Sequence, residues 1–231
     1  IIGMGESSVA EEIEDMFDAK NPTVAPYAKS GEVRLRITAK AETADEADKM
    51  CAPVVDEICS RLGDVVYGTD MNSIEERVVA LLKEKGKKIA TAESCTAGYI
   101  PKRLTDIPGA SEVFECGIVS YSNDIKTKLL GVSPKTLETY GAVSEQTARE
   151  MALGAKHVSG ADIAISTTGL AGPGGDGVLP GGLSFAAVTD GERTVVEKIV
   201  TGHGNDREYN RYVTASRALN LARLMLEEKM K

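Results

Sequence analysis

From Lys88 onward, short apolar runs typical of strands alternate with segments of helical periodicity, and this alternation limits the possible folds more than any other feature. Strands that alternate with helices in this way are the building units of α/β architectures. The pattern therefore predicts an α/β sandwich. The predicted strands are residues 89–92, 113–121, 163–167, 183–189 and 194–201, and the predicted helices begin near Thr96, Asn123, Pro134, Ser144 and Asp206.

The first 68 residues follow a different pattern. Two Ser/Thr-x-x-Glu sequences, which begin at Ser8 and Thr43, have the spacing of capping boxes and predict the starts of two helices. Residues 33–40 alternate apolar with polar side chains, as a half-buried strand does, and residues 65–67 predict a second short strand. We therefore expect a small α+β domain over residues 1–68 and a second domain over residues 69–231.

Charge and cysteine content narrow the classes of function. The chain has 27 Lys and Arg against 35 Asp and Glu, a net charge of -8, so it has no overall field that attracts nucleic acid or an anionic membrane. No apolar run reaches the roughly 18 residues of a membrane span, and we expect a cytoplasmic protein. The four cysteines show no C-x-x-C spacing and the chain has 2 histidines, which predicts reduced thiols and no metal site.

The first candidate for chemistry is the segment of residues 91–98, where a predicted strand passes into a predicted helix. Hydroxyl and backbone N–H groups at such a junction face a common cleft, so Ser94 is a candidate nucleophile. The alternative is that Ser94 or Thr96 is simply the N-cap of the helix, and position alone favours this alternative because Ser and Thr are preferred N-cap residues.

A second candidate is the pair Tyr121 and Lys126, at the end of a predicted strand and in the first turn of the next helix. The helix dipole disfavours a positive charge in that turn, so the pKa of Lys126 is expected to be low. A lysine of this kind can act as the base for a serine hydroxyl, and the tyrosine could relay a proton. The alternative is an ordinary lysine on the surface.

A glycine-rich segment, residues 167–175, follows a strand that reads as buried. Its glycines allow close backbone approach and clusters of N–H groups that bind a phosphate or a carboxylate. The spacing matches neither a dinucleotide fingerprint nor a P-loop, and a plain glycine-rich turn is an equal alternative. Ser144 is most simply the N-cap of a helix that begins at Glu145, although it could also bind an anion.

In order and spacing, these segments resemble the C-terminal domain of the CinA (competence/damage-inducible) family over about residues 72–228. The matching segments are residues 91–96, Tyr121 to Asn123 with Lys126, residues 141–145 and residues 169–175. Residues 2–7 and 22–27 are similar to the KH-like middle domain of the same family. The resemblance implies an α/β/α sandwich preceded by a small α+β domain. Because the first residue is Ile, we expect the chain to be part of a longer protein.

The resemblance also implies an activity, the hydrolysis of nicotinamide mononucleotide to nicotinate mononucleotide and ammonia, a step of pyridine nucleotide salvage. It assigns Ser94 as nucleophile and Tyr121 and Lys126 as its catalytic partners, with no metal or cofactor. It also implies a homo-oligomer. Glu93 could face the pyridinium of the substrate. The other residues expected to contact the substrate are Cys95, Thr96, Ser144, Gly169, Gly172 and Gly174.

The chain departs from the family pattern in three places. Ala97 stands where the family often has Gly, Asn205 replaces a common Gly, and residues 179–182 read Leu-Pro-Gly-Gly where Lys-Pro-Val-Gly is usual. A non-catalytic nucleotide-binding regulatory module is the competing function, but it would not need Ser94, Tyr121 and Lys126 together. An RNA-binding function is less favoured because residues 1–68 contain no G-x-x-G loop with basic flanks.

Overall fold

The computed structural model describes residues 1–230, which form two compact units with their boundary along the chain between Met71 and Asn72. The first unit consists of α1 (Glu6–Glu12), β1 (Thr23–Lys29), β2 (Glu32–Thr38) and α2 (Ala44–Leu62), with short 3-10 helices at Glu14–Met16 and Gly63–Val65. The two strands pair antiparallel. The helices and the ribbon enclose a core that includes Val9, Ile13, Val24, Val33 and Ile58.

The first unit confirms one predicted capping box and corrects the other. The Thr43 hydroxyl accepts a hydrogen bond from the Glu46 N–H at 3.2 Å, and the Glu46 carboxylate accepts one from the Thr43 N–H at 3.3 Å. Ser8 caps nothing, because α1 already begins after Gly5, so Ser8 lies inside the helix. The strand predicted at residues 65–67 is also wrong, since a 3-10 helix ends at Val65.

The sequence patterns did not predict β1, the partner of the predicted strand. Pro22 precedes this strand and Pro26 lies within it. Proline cannot donate a ladder hydrogen bond, and it therefore argues against a strand unless the strand lies at a sheet edge. In a ribbon of two strands every strand is an edge, which is how β1 accommodates Pro26.

The second unit has the predicted architecture of a sheet with helices on both faces. Its strands are β3 (Ile89–Glu93), β4 (Phe114–Val119), β5 (Ile163–Gly169), β6 (Leu183–Thr189) and β7 (Thr194–Val200), in the spatial order β4-β3-β5-β6-β7. β3 runs parallel to both of its neighbours, whereas β6 and β7 complete the sheet antiparallel. The helices are α3 (Ile74–Lys85), α4 (Tyr99–Thr105), α5 (Asn123–Leu130), α6 (Pro134–Tyr140), α7 (Glu145–Ser159) and α8 (Arg207–Leu226).

Two residues of β6 that point to opposite faces of the sheet show that helices cover both faces. Ala187 packs with Ala148 and Ala152 of α7, whereas Ser184 forms a 2.8 Å hydrogen bond with Thr214 of α8. Side chains three positions apart on a strand point to opposite faces. The α/β/α sandwich is therefore confirmed. Among residues 1–230, no helix is long and apolar enough to cross a membrane.

A close approach between α7 and the end of α5 fixes the position of α5. A Cβ added at Gly154 in α7 would collide with the backbone carbonyl of Leu130, the last residue of α5. On the sheet side, Leu130 packs in a cluster with Ala92 of β3 and Met151 of α7. Helix α5 is thus held against the sheet over its final turn, and this placement determines where its buried lysine points.

Candidate functional site

Ser94 follows the last residue of β3 and begins a turn that ends at α4. Its N–H donates to Thr167 O at 2.9 Å, so the turn is tied to the end of β5. Helix α4 begins at Tyr99, and its N-cap is Gly98, with no side-chain cap. The alternative that Ser94 or Thr96 caps this helix is therefore wrong, because the chain needs a longer turn to enter it. Ser94 is left half-buried with its hydroxyl free for other contacts.

The turn has a left-handed backbone at two successive residues. Gly98 has a φ of 87° and the exposed Ala97 a φ of 49°. Left-handed φ is readily adopted by Gly and costs other residues free energy because the Cβ crowds the following carbonyl. Ala97 is therefore a strained choice at this position, which explains why Gly is common there in the family that the sequence resembles.

Lys126 lies in α5 with a side chain that is almost fully enclosed, at 1% exposure. Its Nζ donates to three oxygens: Ser120 O at 2.8 Å, Tyr121 O at 3.1 Å and Ser94 Oγ at 3.2 Å. The alternative of an ordinary surface lysine is therefore wrong. Two of the three acceptors are backbone carbonyls that follow β4, so the direction from the amine to Ser94 is set by the main chain.

Burial lowers the pKa of Lys126 from the 10.5 of an ordinary lysine, and a thiolate at Cys95 would act in the opposite direction. The direction agrees with the expectation from the sequence, but the main cause is loss of hydration rather than the helix dipole. A neutral amine has two N–H donors and one lone pair. Since the two carbonyls can accept both N–H groups, the lone pair is left to face the Ser94 hydroxyl. The arrangement can take the proton of Ser94.

Tyr121 meets Lys126 through its backbone and not through its phenol. The carbonyl of Tyr121 accepts from Lys126 Nζ at 3.1 Å, whereas its side chain is 63% exposed. Tyr121 is also one of the residues that line a cleft together with Ser94. The proton relay suggested by the sequence therefore has no direct contact in this structure.

The cleft beside Ser94 has a volume of about 170 Å³ and is formed mostly by the glycine-rich loop after β5. Leu170 and Gly174 use their N–H groups to bind Leu183 O and Gly204 O, at 2.8 and 3.0 Å. Gly172 has a φ of 92°, and a Cβ there would collide with Gly204 O. The cleft is lined by Ser94, Cys95, Tyr121, Gly169, Leu170, Ala171, Gly172, Pro173, Gly174, Gly175 and Arg207.

Arg207 is the one charged side chain among the described residues that line the cleft, and it was missed from the sequence. Its Nη1 donates to Gly172 O at 2.6 Å, which joins the first residue of α8 to the glycine-rich loop. A cation in the first turn of a helix opposes the helix dipole. The same argument singled out Lys126 and, applied at Asp206 and Arg207, would have singled out Arg207.

Cys95 lines the cleft, but its thiol is not a reactive group. The side chain is 6% exposed. Burial raises the pKa of the thiol to about 12, and the negative charge of Glu93 acts in the same direction. Because the thiolate is the nucleophilic form of cysteine, Cys95 is expected to be inert near neutral pH.

The structure does not bring Glu93 into the cleft. It is the last residue of β3 and is 1% exposed, with Oε2 accepting from the Ile100 N–H of α4 at 3.2 Å. Burial raises the pKa of this carboxyl, and hydrogen bonds from the Thr96 hydroxyl and from the N–H groups of Ile100, Tyr99 and Gly98 oppose that effect. Glu93 therefore holds the entrance of α4 from behind the turn.

Thr96 and Ser144 also lie outside the set of residues that line the cleft. The Thr96 hydroxyl is within 2.6 Å of the Thr167 hydroxyl, and its carbonyl accepts from Arg211 at 2.7 Å. Ser144 accepts from the Thr147 N–H and donates to Gly141 O, so its predicted N-cap role is confirmed. Within residues 1–230, no three His, Cys, Asp or Glu side chains are grouped to hold a metal ion.

Family models match both units of the chain. The model described as the CinA C-terminal domain matches residues 71–226, and the model described as the damage-inducible protein CinA KH domain matches residues 1–68. A CinA-like protein of Desulfovibrio desulfuricans is 46% identical over 96% of this chain and 52% of its own length. A CinA-like protein of Kosmotoga olearia is 45% identical over 91% of this chain and 52% of its own length. The chain thus spans about half the length of these relatives.

Solved structures match the larger unit. A competence/damage inducible protein from Agrobacterium tumefaciens is 38% identical, with a TM-score of 0.64 over 69% of this chain and 99% of that chain. A competence-damaged protein (CinA) superfamily protein from Escherichia coli is 32% identical, with a TM-score of 0.62 over 68% of this chain and 93% of that chain. These matches agree with the sandwich fold of the second unit.

The left-handed turn after Ser94 predicts that Ala97→Gly stabilises the second unit. Relief of the left-handed strain is worth about 1–2 kcal/mol, and the greater freedom of Gly in the unfolded chain removes about 0.4–1 kcal/mol of it. We expect a net gain of about 0.5–1 kcal/mol in the free energy of unfolding, measured in urea. The control is Ala80→Gly, at an exposed site in α3, which should lose about 1 kcal/mol. Equal losses in both variants would contradict the prediction.

Proposed function

The chain belongs to the CinA family, and we propose that its second unit hydrolyses the carboxamide of nicotinamide mononucleotide to give nicotinate mononucleotide and ammonia. The observation that carries the proposal is the contact between the buried Lys126 amine and the Ser94 hydroxyl at 3.2 Å. A serine becomes a nucleophile when an adjacent base takes its proton. Here the base is fixed by two carbonyls, and its pKa is lowered by burial.

The proposed reaction proceeds in two halves. Ser94 Oγ attacks the carboxamide carbon while Lys126 Nζ takes the hydroxyl proton. The tetrahedral intermediate then collapses as the C–N bond breaks, and the proton on Lys126 passes to the leaving nitrogen, which departs as ammonia. In the second half, Lys126 takes a proton from water, the resulting hydroxide attacks the ester, and Ser94 leaves with the proton restored.

The negative charge on the oxygen of each intermediate needs hydrogen-bond donors. The N–H of Ser94 is already bound to Thr167 O. The next N–H group, of Cys95, donates to no carbonyl oxygen among residues 1–230, and Cys95 lines the cleft beside Ser94. We assign it as an oxyanion donor. Preorganised backbone donors of this kind typically contribute about 100–1,000-fold in rate.

The cleft is large enough for part of the proposed substrate, and Arg207 is suited to bind the negative charge of its phosphate. A volume of about 170 Å³ is below the roughly 300 Å³ at which whole-ligand pockets begin, so the cleft holds the ring and its carboxamide. The ribose and phosphate then extend to the mouth, where the Arg207 guanidinium is suited to a phosphate. Arg207 supplies the positive charge that the family's usual lysine, replaced by Leu179 in this chain, would have provided.

The decisive experiment measures ammonia release from nicotinamide mononucleotide by the parent chain, by Ser94→Ala and by Lys126→Met. Each variant removes one half of the nucleophile–base pair, so both should lose at least about 1,000-fold in kcat. The matched controls are Ser111→Ala and Lys128→Met, at exposed sites that should leave turnover unchanged. Full turnover in Ser94→Ala would exclude this mechanism, and an inactive parent that still binds the nucleotide would favour a regulatory module.

The proposed base predicts how the rate depends on pH. Only the neutral form of Lys126 can accept the Ser94 proton, so kcat/KM should rise with pH and level off above the lowered pKa of this amine. The midpoint should lie below the 10.5 of an ordinary lysine because burial disfavours the charged form. Lys126→Arg should be inactive at every pH since a guanidinium stays protonated. A midpoint at or above 10.5, or a rate that falls as the pH rises, would contradict Lys126 as the base.

The proposed role of Arg207 is tested with a substrate that lacks the phosphate. Arg207→Ala should raise KM for nicotinamide mononucleotide about 10- to 100-fold, the value of a lost charged hydrogen bond. The same substitution should leave kcat/KM for nicotinamide riboside almost unchanged, since that compound has no phosphate. Because Arg207 also binds Gly172 O, a general disturbance of the loop is the competing explanation. It would lower turnover of both compounds to the same extent.

A further inference from the structure

The Tyr121 ring is placed where it can contact a ligand but not the proton path. Tyr121 follows Ser120 after β4, lines the cleft that contains Ser94, and is 63% exposed. Among residues 1–230, its phenol has no hydrogen-bond partner, and its carbonyl is the group that binds Lys126. A large aromatic ring held open to solvent beside a nucleophile is a surface available to a ligand.

The coordination of Lys126 leaves no place for the phenol in proton transfer. Nζ has three donor directions as an ammonium, and its three partners are Ser120 O, Tyr121 O and Ser94 Oγ. A proton that moves between Ser94 and Lys126 therefore crosses one direct contact of 3.2 Å. A relay through Tyr121 would have to displace one of these oxygens. The side chain of Tyr121 is thus not needed for the transfer.

The residues that line the cleft offer no negative charge to the positively charged ring of the proposed substrate. The ring of the proposed substrate is an N-substituted pyridinium and carries a positive charge. Among the described residues that line the cleft, none is acidic, and Arg207 is itself a cation. The nearest carboxyl in sequence, Glu93, is buried behind the turn and accepts from the Ile100 N–H. No carboxylate among these residues is therefore placed to stabilise the cation.

An aromatic face can stabilise this cation instead. The face of a tyrosine ring is negative because of its quadrupole, and it attracts cations, including quaternary nitrogen. We propose that the Tyr121 ring is the platform on which the pyridinium of the substrate stacks, and that it makes the cleft select cationic N-substituted pyridine amides over neutral ones. This inference rests on the proposed function. It assigns Tyr121 to ring binding instead of proton relay.

The first test is a binding measurement that does not depend on turnover. Calorimetry compares nicotinamide mononucleotide with its reduced form, which has the same ribose phosphate and a neutral dihydropyridine ring, using Ser94→Ala protein to prevent hydrolysis. We expect the cationic form to bind about 3- to 30-fold more tightly, the value of a cation–π contact. Adding Tyr121→Phe should preserve this ratio because the ring face remains. Adding Tyr121→Leu should bring the ratio close to one.

The second test uses turnover by the parent chain and separates platform from relay. Tyr121→Phe should keep kcat within about threefold of the parent, whereas loss of a proton-transferring group costs about 100-fold or more. Tyr121→Leu should raise KM for the mononucleotide by about the same factor by which it weakens the affinity measured by calorimetry. The matched control is Tyr140→Leu, which removes another exposed tyrosine that does not line the cleft.

The outcomes for the platform and for the amidase are distinguishable. A parent that releases no ammonia but prefers the cationic nucleotide, with the preference lost in Tyr121→Leu, would support the platform and reject the amidase. A parent that hydrolyses the nucleotide while Tyr121→Leu retains the preference would overturn the platform alone. A collapse of kcat in Tyr121→Phe with unchanged KM would overturn it in favour of the relay. Absence of binding to either form would overturn both.

Discussion

The burial of the Lys126 amine is the interaction on which the candidate site depends. A charged amine loses its hydration at 1% exposure, and this loss is offset only if oxygens replace the water. The carbonyls of Ser120 and Tyr121 and the hydroxyl of Ser94 do so. These oxygens come from the ends of two adjacent parallel strands, so the sheet itself sets the distance between nucleophile and base.

The same requirement explains features that are remote from the cleft. Helix α5 must bring Lys126 to the strand ends, and Gly154 allows α7 to pack directly on the last carbonyl of α5. The turn after β3 must present Ser94, and the buried Glu93 holds the entrance of α4 from behind while Ala97 adopts a left-handed backbone. Polar groups that could be read as substrate contacts thus act as supports that fix the reacting pair.

The charged side chains that line the cleft determine which substrates the proposed reaction would select. A single cation, Arg207, stands at the mouth beside the glycine-rich loop, and no acidic side chain lines the cleft in the described part of the chain. Such a site suits an anionic group at its rim. A positively charged ring in the interior then depends on an aromatic face, which is the role inferred for Tyr121. Phosphate recognition and ring recognition are in this way assigned to different residues.

Local patterns in the sequence predicted the strands and most helices of the second unit, but they missed β1 and predicted a capping box at Ser8 and a strand at residues 65–67 that the structure does not have. Alternating periodicities indicate the strands and helices of the sandwich, and spacing and residue type identify the N-cap residues Thr43 and Ser144, because these signals are local. The contacts between side chains of the site arise only when the helices pack on the sheet. Glu93 and Ser94 are neighbours in sequence, but Glu93 accepts from the Ile100 N–H of α4 whereas Ser94 lines the cleft, and Arg207 binds the loop at Gly172 from 35 residues away. Burial and contact depend on how helices pack on the sheet, which no local pattern specifies.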